Sequence, residues 1–305
     1  MNRLFCLALI LLLSGCGAAP EPEQPATPAA TDSAAPTAPK WEAAEGMEAP
    51  ESVYVEPGSG TIFVSLIVGM PGEKDGNGRI AKLNADGTVV STSWVTGLNA
   101  PKGLRSYQGT LWTADIDEIV GIEISTGKIT SRVKIDGAQF LNDVATGPDG
   151  TVYVSDMLAT KIYALKDGKA SLFAEGEEME YPNGLLVDNG KLVVGGWGKP
   201  EADFSTKVPG HLFTLDLTTK QKTLLTPDPV GNIDGLESDG KGGYLVTDWN
   251  AGKVMQVTSA GAVRTVRQFT QGTADHAFVA AQNLLIIPHM PENKVAAYDV
   301  TGSVE

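Results

Sequence analysis

A short sequence phrase occurs six times along the chain, and each copy stands where a β-strand is expected to begin. The copies occupy residues 49–53, 100–104, 140–144, 181–185, 232–236 and 273–277. Roughly ten residues after each copy comes a strand-like run, such as the β-branched and aromatic ThrValTyrValSer at 151–155. A repeat with this period constrains the fold more than any single motif does.

The length of the repeat predicts one four-stranded antiparallel sheet per unit. Equivalent positions lie 51, 40, 41, 51 and 41 residues apart, and they are Glu51, Lys102, Asn142, Asn183, Asp234 and Asp275. This spacing is typical of one blade of a β-propeller. We therefore predict an all-β fold, a six-bladed β-propeller.

The sixth unit contains only three strand-like runs, so its fourth strand must come from elsewhere. A segment at 41–51 resembles two outer strands that lead into a following blade, 94–102 and 172–183. We predict that residues 40–48 pair with the last blade and close the ring, which makes 41–305 the propeller. Closure removes two open sheet edges that would otherwise favour aggregation.

The beginning of the chain predicts export. Residues 1–15 combine a charged head at Arg3 with an apolar run at 4–13, which is typical of a signal peptide and too short to span a bilayer. The sequence LeuSerGlyCys that ends at Cys16 resembles a bacterial lipobox. This resemblance implies cleavage before Cys16 and acylation of its thiol, which would anchor the protein in a membrane.

Residues 16–40 are rich in Ala and Pro without apolar periodicity, so we predict a disordered tether. The residue after the cysteine is Gly17 rather than aspartate. By the usual sorting rule for such lipoproteins, this favours the outer membrane. We expect the protein at its periplasmic face, although the sorting rule does not specify the face.

Cysteine usage and charge exclude several classes of function. The only cysteines are Cys6 and Cys16, so the predicted exported domain contains neither a disulfide nor a thiol nucleophile. Removal of residues 1–15 changes the formal charge from −14 to −15. Such an acidic domain disfavours nucleic acid and anionic lipid surfaces, so we expect it to contact the membrane through its lipid alone. We also expect a monomer with a small-molecule substrate.

The repeat also predicts where polar groups meet. The innermost strand of each propeller blade begins near the central channel, so equivalent positions surround one axial point. Four of them, in different blades, supply two carboxylates and two amides: Glu51, Asn142, Asn183 and Asp234. Hard oxygen donors in this ratio suit Ca²⁺ or another divalent cation.

These phrases resemble those of the family of senescence marker protein (regucalcin), gluconolactonase and luciferin-regenerating enzyme. The resemblance covers roughly residues 41–299 and depends on four phrases in order: ProGluSerVal with Glu56, AsnAspVal at 142–144, AsnGlyLeu at 183–185 and AspGlyLeu at 234–236. It implies a six-bladed propeller with one axial divalent metal, bound by Glu51, Asn142, Asn183 and Asp234. It also implies hydrolysis of a lactone or small ester.

In that chemistry the metal polarises the ester carbonyl and a carboxylate accepts the proton of the attacking water. The resemblance implies that Asp234 is the base that accepts this proton. A carboxylate bound to a cation is a weak base, however, so Asp143 and Asp275 are alternative catalytic residues.

Two further residues are candidates for contact with the substrate. Lys102 belongs to the ring, and two interpretations are open: it holds an anionic group or a developing oxyanion of the substrate, or its ammonium reaches solvent or pairs with Glu51. His276 adjoins Asp275 and is interpreted either as a base or proton shuttle or as a structural residue. The family often has an arginine for the substrate where this chain has Phe140.

The other polar and aromatic candidates are interpreted mainly as architecture. We expect three aspartates that end equivalent strands to accept hydrogen bonds from the following turn: Asp115, Asp156 and Asp248. Trp197 and Trp249 also end equivalent strands, where they either pack or line a pocket. Long inserts at 66–79 and 197–210 are expected to vary with the substrate or partner.

Two other functions remain open at the level of sequence. One is a non-catalytic propeller of the NHL kind that binds a protein, glycan or peptide. The other is a metal-stabilised lipoprotein that binds a ligand without turnover. The fold alone does not decide among these functions.

Overall fold

A computed structural model describes residues 38–304 as an all-β fold of six four-stranded antiparallel sheets. The predicted six-bladed β-propeller is therefore confirmed. The predicted signal peptide, the acylated Cys16 and nearly all of the tether lie outside the described residues.

The first half of the ring consists of three consecutive sheets, each ordered as the chain runs. Blade 1 contains β2 (Pro50–Val55), β3 (Ile62–Leu66), β4 (Gly78–Leu83) and β5 (Val89–Leu98). Blade 2 contains β6 (Pro101–Tyr107), β7 (Thr110–Asp115), β8 (Glu118–Glu123) and β9 (Lys128–Lys134). Blade 3 contains β10 (Leu141–Thr146), β11 (Val152–Asp156), β12 (Lys161–Lys166) and β13 (Lys169–Glu175).

The second half repeats this order and ends with the shared blade. Blade 4 contains β14 (Pro182–Asp188), β15 (Lys191–Gly196), β16 (Leu212–Asp216) and β17 (Lys222–Leu224). Blade 5 contains β18 (Ile233–Ser238), β19 (Tyr244–Asp248), β20 (Lys253–Val257) and β21 (Val263–Gln268). Blade 6 contains β22 (Ala277–Val279), β23 (Leu284–His289), β24 (Lys294–Asp299) and β1 (Trp41–Ala43).

Helical structure in the described residues is confined to three 3-10 turns. They span Glu177–Met179, Ala280–Gln282 and Met290–Glu292. Within residues 38–304, no helix is long and apolar enough to cross a membrane.

Burial follows the position of a strand in its blade. In blade 3 every residue of β11 is buried, because this strand has sheet neighbours on both sides and packs on both faces. The outer strand β13 is mostly exposed. The sequence matches this difference, since ValTyrValSerAsp forms the inner strand and LysAlaSerLeuPheAlaGlu the outer one.

The N-terminal strand closes the ring as predicted. Trp41 lies opposite Ala297 and Ala43 opposite Val295 in the antiparallel pairing of β1 with β24. The backbone N–H of Lys40 adds a hydrogen bond of 2.7 Å to the carbonyl of Ala297. Ala43 is buried in the apolar cluster that joins blade 6 to blade 1, so closure buries a continuous core as well as two edges.

The innermost strands are irregular at the ring positions. In blades 1 to 5 the pairing register shifts just after the first residue of the innermost strand, for example between Leu141 and Val144. Such bulges redirect side chains out of the regular pleat. The bulges therefore turn the ring residues toward the end of the channel instead of into the packing between blades.

Candidate functional site

A cavity of about 180 Å³ lies where the ring residues meet. Its lining includes all four predicted metal ligands, which come from blades 1, 3, 4 and 5: Glu51, Asn142, Asn183 and Asp234. Each of these residues is at most 5 % exposed. The structure thus brings together the four side chains that the repeat predicts to converge.

The polar floor of this cavity contains oxygen atoms without partners. The amide Nδ2 of Asn183 donates a hydrogen bond of 2.8 Å to Oδ1 of Asp234. In the described part of the chain, neither Oδ1 of Asn183 nor Oε2 of Glu51 has a hydrogen-bond partner, and both are buried. Buried oxygens normally find a donor or a cation, so this donor set fits a hard divalent ion.

The ligand set is not one of acidic and histidine side chains alone. Across residues 38–304 no group of three or more His, Cys, Asp or Glu side chains is arranged to hold a metal ion. The candidate site instead combines two carboxylates with two amides, a mixture that Ca²⁺ accepts.

Burial disfavours charge on both carboxylates of the floor. Desolvation raises the pKa of Glu51 well above its usual value, and Asp234 raises it further while Lys102 lowers it. Burial also raises the pKa of Asp234 to about 7, although the hydrogen bond from Asn183 lowers it. A bound cation would reverse these shifts, because it favours the ionised form of each carboxylate.

Lys102 lies in the ring, but its ammonium group is already engaged. Its Nζ donates hydrogen bonds of 3.0 Å to the carbonyls of Pro71 and Ala100. The ring centroid of Phe140 lies 4.5 Å from the same nitrogen. Burial lowers the pKa of Lys102 to about 8, against the opposing effect of Glu51. Contact between Lys102 and a substrate therefore stays a prediction.

In blade 6 the residue at the ring position lies one residue earlier in the sequence than the aligned phrases predict. The backbone N–H of Met290 donates to the carbonyl of Gly272 (3.1 Å), just as Met157 donates to Phe140 (3.0 Å) in blade 3. The ring ligand of blade 3 lies two residues beyond Phe140, so Ala274 holds the ring position of blade 6. The predicted equivalence of Asp275 with the ring residues is wrong by one residue.

Asp275 and Asp143 are instead equivalent to each other, one residue beyond the ring. Oδ2 of Asp143 accepts a hydrogen bond of 2.6 Å from the backbone of Leu185, and Oδ2 of Asp275 accepts one of 2.5 Å from Ser52. Burial raises the pKa of Asp143 to about 7 despite the nearby Arg105, and it raises that of Asp275 as well. Neither carboxylate lines the cavity.

His276 is fully buried and does not line the cavity either. It follows Asp275 as Val144 follows Asp143, so it occupies a position at which blade 3 has an aliphatic residue. Neither ring nitrogen has a hydrogen-bond partner among residues 38–304. Burial, helped by Arg105, lowers the pKa of His276 to about 3, which keeps the imidazole neutral.

An ion pair that was not predicted from the sequence crosses the channel. Arg105 of blade 2 and Glu237 of blade 5 form a salt bridge of 2.7 Å, and both side chains are largely buried. Each lies three residues beyond the ring residue of its blade, so the repeat carried a signal for the pair. The guanidinium also lies 5.4 Å from the ring centroid of Tyr54.

Four aromatic rings form one wall of the cavity. Phe140 lies 6.0 Å from Phe204, Phe204 lies 6.5 Å from Trp197, and Trp197 lies 6.2 Å from Trp249, measured between ring centroids. Of the two readings of the tryptophans, the structure supports the one in which they line a pocket. Phe204, from the insert at 197–210, was not singled out by the sequence.

The strand-ending aspartates position the loops that precede the ring. Asp156 accepts hydrogen bonds from the backbone of Phe140 (2.8 Å) and from Ala159 in the following turn (3.4 Å). Asp248 likewise accepts one of 3.0 Å from Ala251 in its following turn. The predicted turn contacts are confirmed for these two residues. Asp115 differs, because its side chain bonds the backbone of residues 99–100 ahead of Lys102.

Comparisons with known proteins support the fold alone. No protein-family model and no curated protein matches the chain. Similar solved structures include virginiamycin B lyase from Staphylococcus aureus, with 14 % identity, 84 % of this chain and 97 % of that chain covered, and a TM-score of 0.59. A gluconolactonase from Xanthomonas campestris has 18 % identity, coverages of 82 % and 85 %, and a TM-score of 0.60.

A third similar structure is that of a nidogen/laminin complex. Its identity is 17 %, 75 % of this chain and 88 % of that chain are covered, and the TM-score is 0.62. At such identities the likeness shows a shared propeller and leaves activity to be argued from the site.

Proposed function

We propose that the protein is a metal-dependent hydrolase of a lactone or small ester, of the gluconolactonase type. One observation carries this proposal: oxygen-donor side chains from four blades line one cavity, and two of their buried oxygens lack partners. Such oxygens are costly unless a cation or a donor satisfies them.

Four residues would hold the cation: Glu51, Asn142, Asn183 and Asp234. When bound, a divalent ion of this kind supplies Lewis-acid polarisation of an ester carbonyl. The chain itself would supply the carboxylate that accepts a proton from the attacking water. Asp234 is the first candidate for this base because it lines the cavity, whereas Asp143 and Asp275 do not.

Metal binding is the first test. The full chain purified in detergent is heated with chelator and with Ca²⁺ at about 100-fold above its Kd. A ligand that binds only the folded state should raise the midpoint of unfolding by about 5–10 °C. The rise should disappear in Asp234→Ala and Asn183→Ala and persist in exposed controls, Asp228→Ala and Asn84→Ala. No rise in the wild type would refute the metal site.

Turnover is the second test. A panel of γ- and δ-lactones should be hydrolysed by the Ca²⁺-loaded protein, and the rate should fall by at least 100-fold in Asp234→Ala. Metal binding without hydrolysis of any lactone would leave a metal-stabilised ligand-binding protein. Absence of both would favour a non-catalytic binding propeller.

We further propose that Cys16 carries lipid and holds the propeller at the periplasmic face of the outer membrane. The LeuSerGlyCys phrase and Gly17 support this location. Labelling of growing cells with a radioactive fatty acid should mark the wild type and leave Cys16→Ala unmarked. Equal labelling of both proteins would contradict the anchor.

A further inference from the structure

The shape of the cavity restricts what it can bind. Its aromatic wall consists of Phe140, Trp197, Phe204 and Trp249, each ring within about 6–6.5 Å of the next. The indole N–H of Trp197 is used internally, because it donates a hydrogen bond of 3.1 Å to the carbonyl of Phe204. Toward the cavity, this part of the wall therefore offers an apolar surface without a free indole donor.

Phe204 is held in an uncommon backbone conformation. Its φ of 62° lies in the left-handed region, which a bulky side chain rarely adopts. Its carbonyl accepts two hydrogen bonds, from Trp197 and from Nδ2 of Asn250 at 3.0 Å. Strain of this kind persists where the surrounding structure enforces it, and it often marks a ligand contact. The insert at 197–210 thus holds this ring at the cavity in a conformation that its hydrogen bonds enforce.

The cation at this wall already has partners within the protein. Lys102 is the one cation among the described residues that line the cavity. Two of its N–H groups bond the carbonyls of Pro71 and Ala100, and the ring of Phe140 covers the ammonium. A carboxylate or a set of sugar hydroxyls that packs against Phe140, Phe204 or Trp197 would therefore lose water without gaining a donor from the indole of Trp197. The carboxylate of Asp203, which also lines the cavity, would repel an anionic ligand.

The volume sets the size of the ligand. A dry apolar cavity of about 150 Å³ accommodates one benzene molecule. The space of about 180 Å³ next to the polar floor is only slightly larger, so it holds one ring-sized group, and a ligand that carries both an aromatic ring and an ester must extend beyond it. A ring against the wall would direct the ester toward Asn183 and Asp234.

We infer that the substrate is a small neutral lactone that carries an aromatic ring, and that Phe204 determines this specificity. The inference rests on the proposed hydrolase function for its chemistry and on the aromatic wall for its substrate class. It predicts that polyhydroxylated sugar lactones are poor substrates, even though their ester group is the same.

Three lactones with the same six-membered ring test this substrate class: δ-valerolactone, its 6-phenyl derivative and glucono-δ-lactone. With the full chain loaded with Ca²⁺, the phenyl group should raise kcat/KM at least tenfold over the unsubstituted lactone, after correction for uncatalysed hydrolysis. Glucono-δ-lactone should fall below both. A preference for glucono-δ-lactone would overturn the inference and leave the hydrolase proposal intact.

A binding measurement separates the two proposals. 3-Phenylcyclohexanone has the same shape as the phenyl lactone but cannot be hydrolysed, and its affinity is measured by calorimetry. Phe204→Gly removes the ring and relieves the positive φ, so it should bind about tenfold more weakly, while Phe204→Tyr should stay within about twofold. The unfolding midpoints of both variants show whether they remain folded.

The outcomes are distinct. Binding of the ketone without hydrolysis of any lactone would refute the hydrolase and retain the aromatic ligand class. Failure of the ketone to bind, or equal affinity in folded Phe204→Gly, would overturn the inference.

Discussion

At the scale of single residues, the channel combines two carboxyl groups whose pKa values are raised by burial, those of Asp143 and Asp275, with the guanidinium of Arg105, which stays charged. Arg105 contacts Glu237 directly. It also opposes the effect of burial, which raises the pKa of both Asp143 and Asp275. Truncation of one partner of a buried ion pair leaves an uncompensated charge, which is far more costly than loss of a surface pair.

Arg105→Met should therefore reduce the free energy of unfolding by about 3–5 kcal/mol. The matched control is Lys207→Met, which breaks an exposed pair with Glu201 and should cost less than about 1 kcal/mol. Urea unfolding of both variants measures the difference. A cost for Arg105→Met as small as that of the control would show that the cross-channel pair contributes little.

His276 leads to a prediction with a defined pH dependence. Its pKa is about 3 when folded and near 6.5 when unfolded, so the unfolded chain binds the extra proton. This histidine therefore lowers the free energy of unfolding progressively as the pH falls from about 6.5 toward 3. Substitution by valine, the residue found at the equivalent position of blade 3, removes the effect.

His276→Val should be more stable than the wild type, by an amount that grows by about 1.4 kcal/mol for each pH unit below about pH 6. Urea unfolding of both proteins at pH 7.5, 6 and 5 gives the difference, in which the contributions of the other titrating groups cancel. A difference that does not change with pH would contradict the burial of a neutral imidazole.

At the scale of elements, each innermost strand delivers one side chain to the ring because its register shifts there. The repeated phrases predicted these strands and five of the six ring residues. Blade 6 was misaligned because its ThrAlaAspHisAla copy was matched on its acid, whereas the backbone contact from Met290 to Gly272 sets the true register. Sequence similarity over five residues cannot locate a bulge, since a bulge is defined by pairing with the next strand.

The closing strand β1 gives a prediction at this scale. Ala43 faces the apolar cluster between blades 6 and 1, whereas the adjacent Glu42 is exposed. Ala43→Asp buries a charge in that cluster and should reduce the free energy of unfolding by about 2–4 kcal/mol. Hydrogen exchange should also accelerate in β24.

Glu42→Ala changes the same strand on its solvent side. It should change the free energy of unfolding by no more than about 0.5 kcal/mol and leave the rate of hydrogen exchange in β24 nearly unchanged. If Ala43→Asp behaved like this control, ring closure by β1 would be of little energetic importance.

At the scale of the whole molecule, the number of blades, the closure and the convergence of four oxygen donors could be predicted from repeat length and residue type. The aromatic wall and the Arg105–Glu237 pair could not. Phe204 lies in an insert that breaks the repeat, and its position depends on hydrogen bonds that its carbonyl accepts from the side chains of Trp197 and Asn250, the second of which belongs to another blade. The ion pair joins opposite blades, a relation that appears only once the ring is closed.

The axial site also predicts how stability depends on calcium and pH together. The pKa values of Glu51 and Asp234 are raised in the metal-free fold, so their contribution to stability is present at low pH and is lost as the pH rises toward 7 and above. Binding of Ca²⁺ requires both carboxylates to be ionised. The increase in unfolding midpoint caused by Ca²⁺ should therefore be larger at pH 8 than at pH 5.5.

Thermal unfolding with chelator and with Ca²⁺ at both pH values tests this coupling, and Asp234→Asn should reduce the pH dependence. A calcium effect of equal size at pH 5.5 and pH 8 would argue against carboxylate ligands.

The salt bridge between blades 2 and 5 affects how a substrate enters the channel and how a product leaves it. Because Arg105 and Glu237 meet across the channel, we expect the pair to obstruct one end, so that a ligand enters and leaves through the other. A product that has not yet departed then blocks the next substrate. Product inhibition in this protein should accordingly be competitive, and accumulated product should raise the apparent KM without lowering the maximal rate.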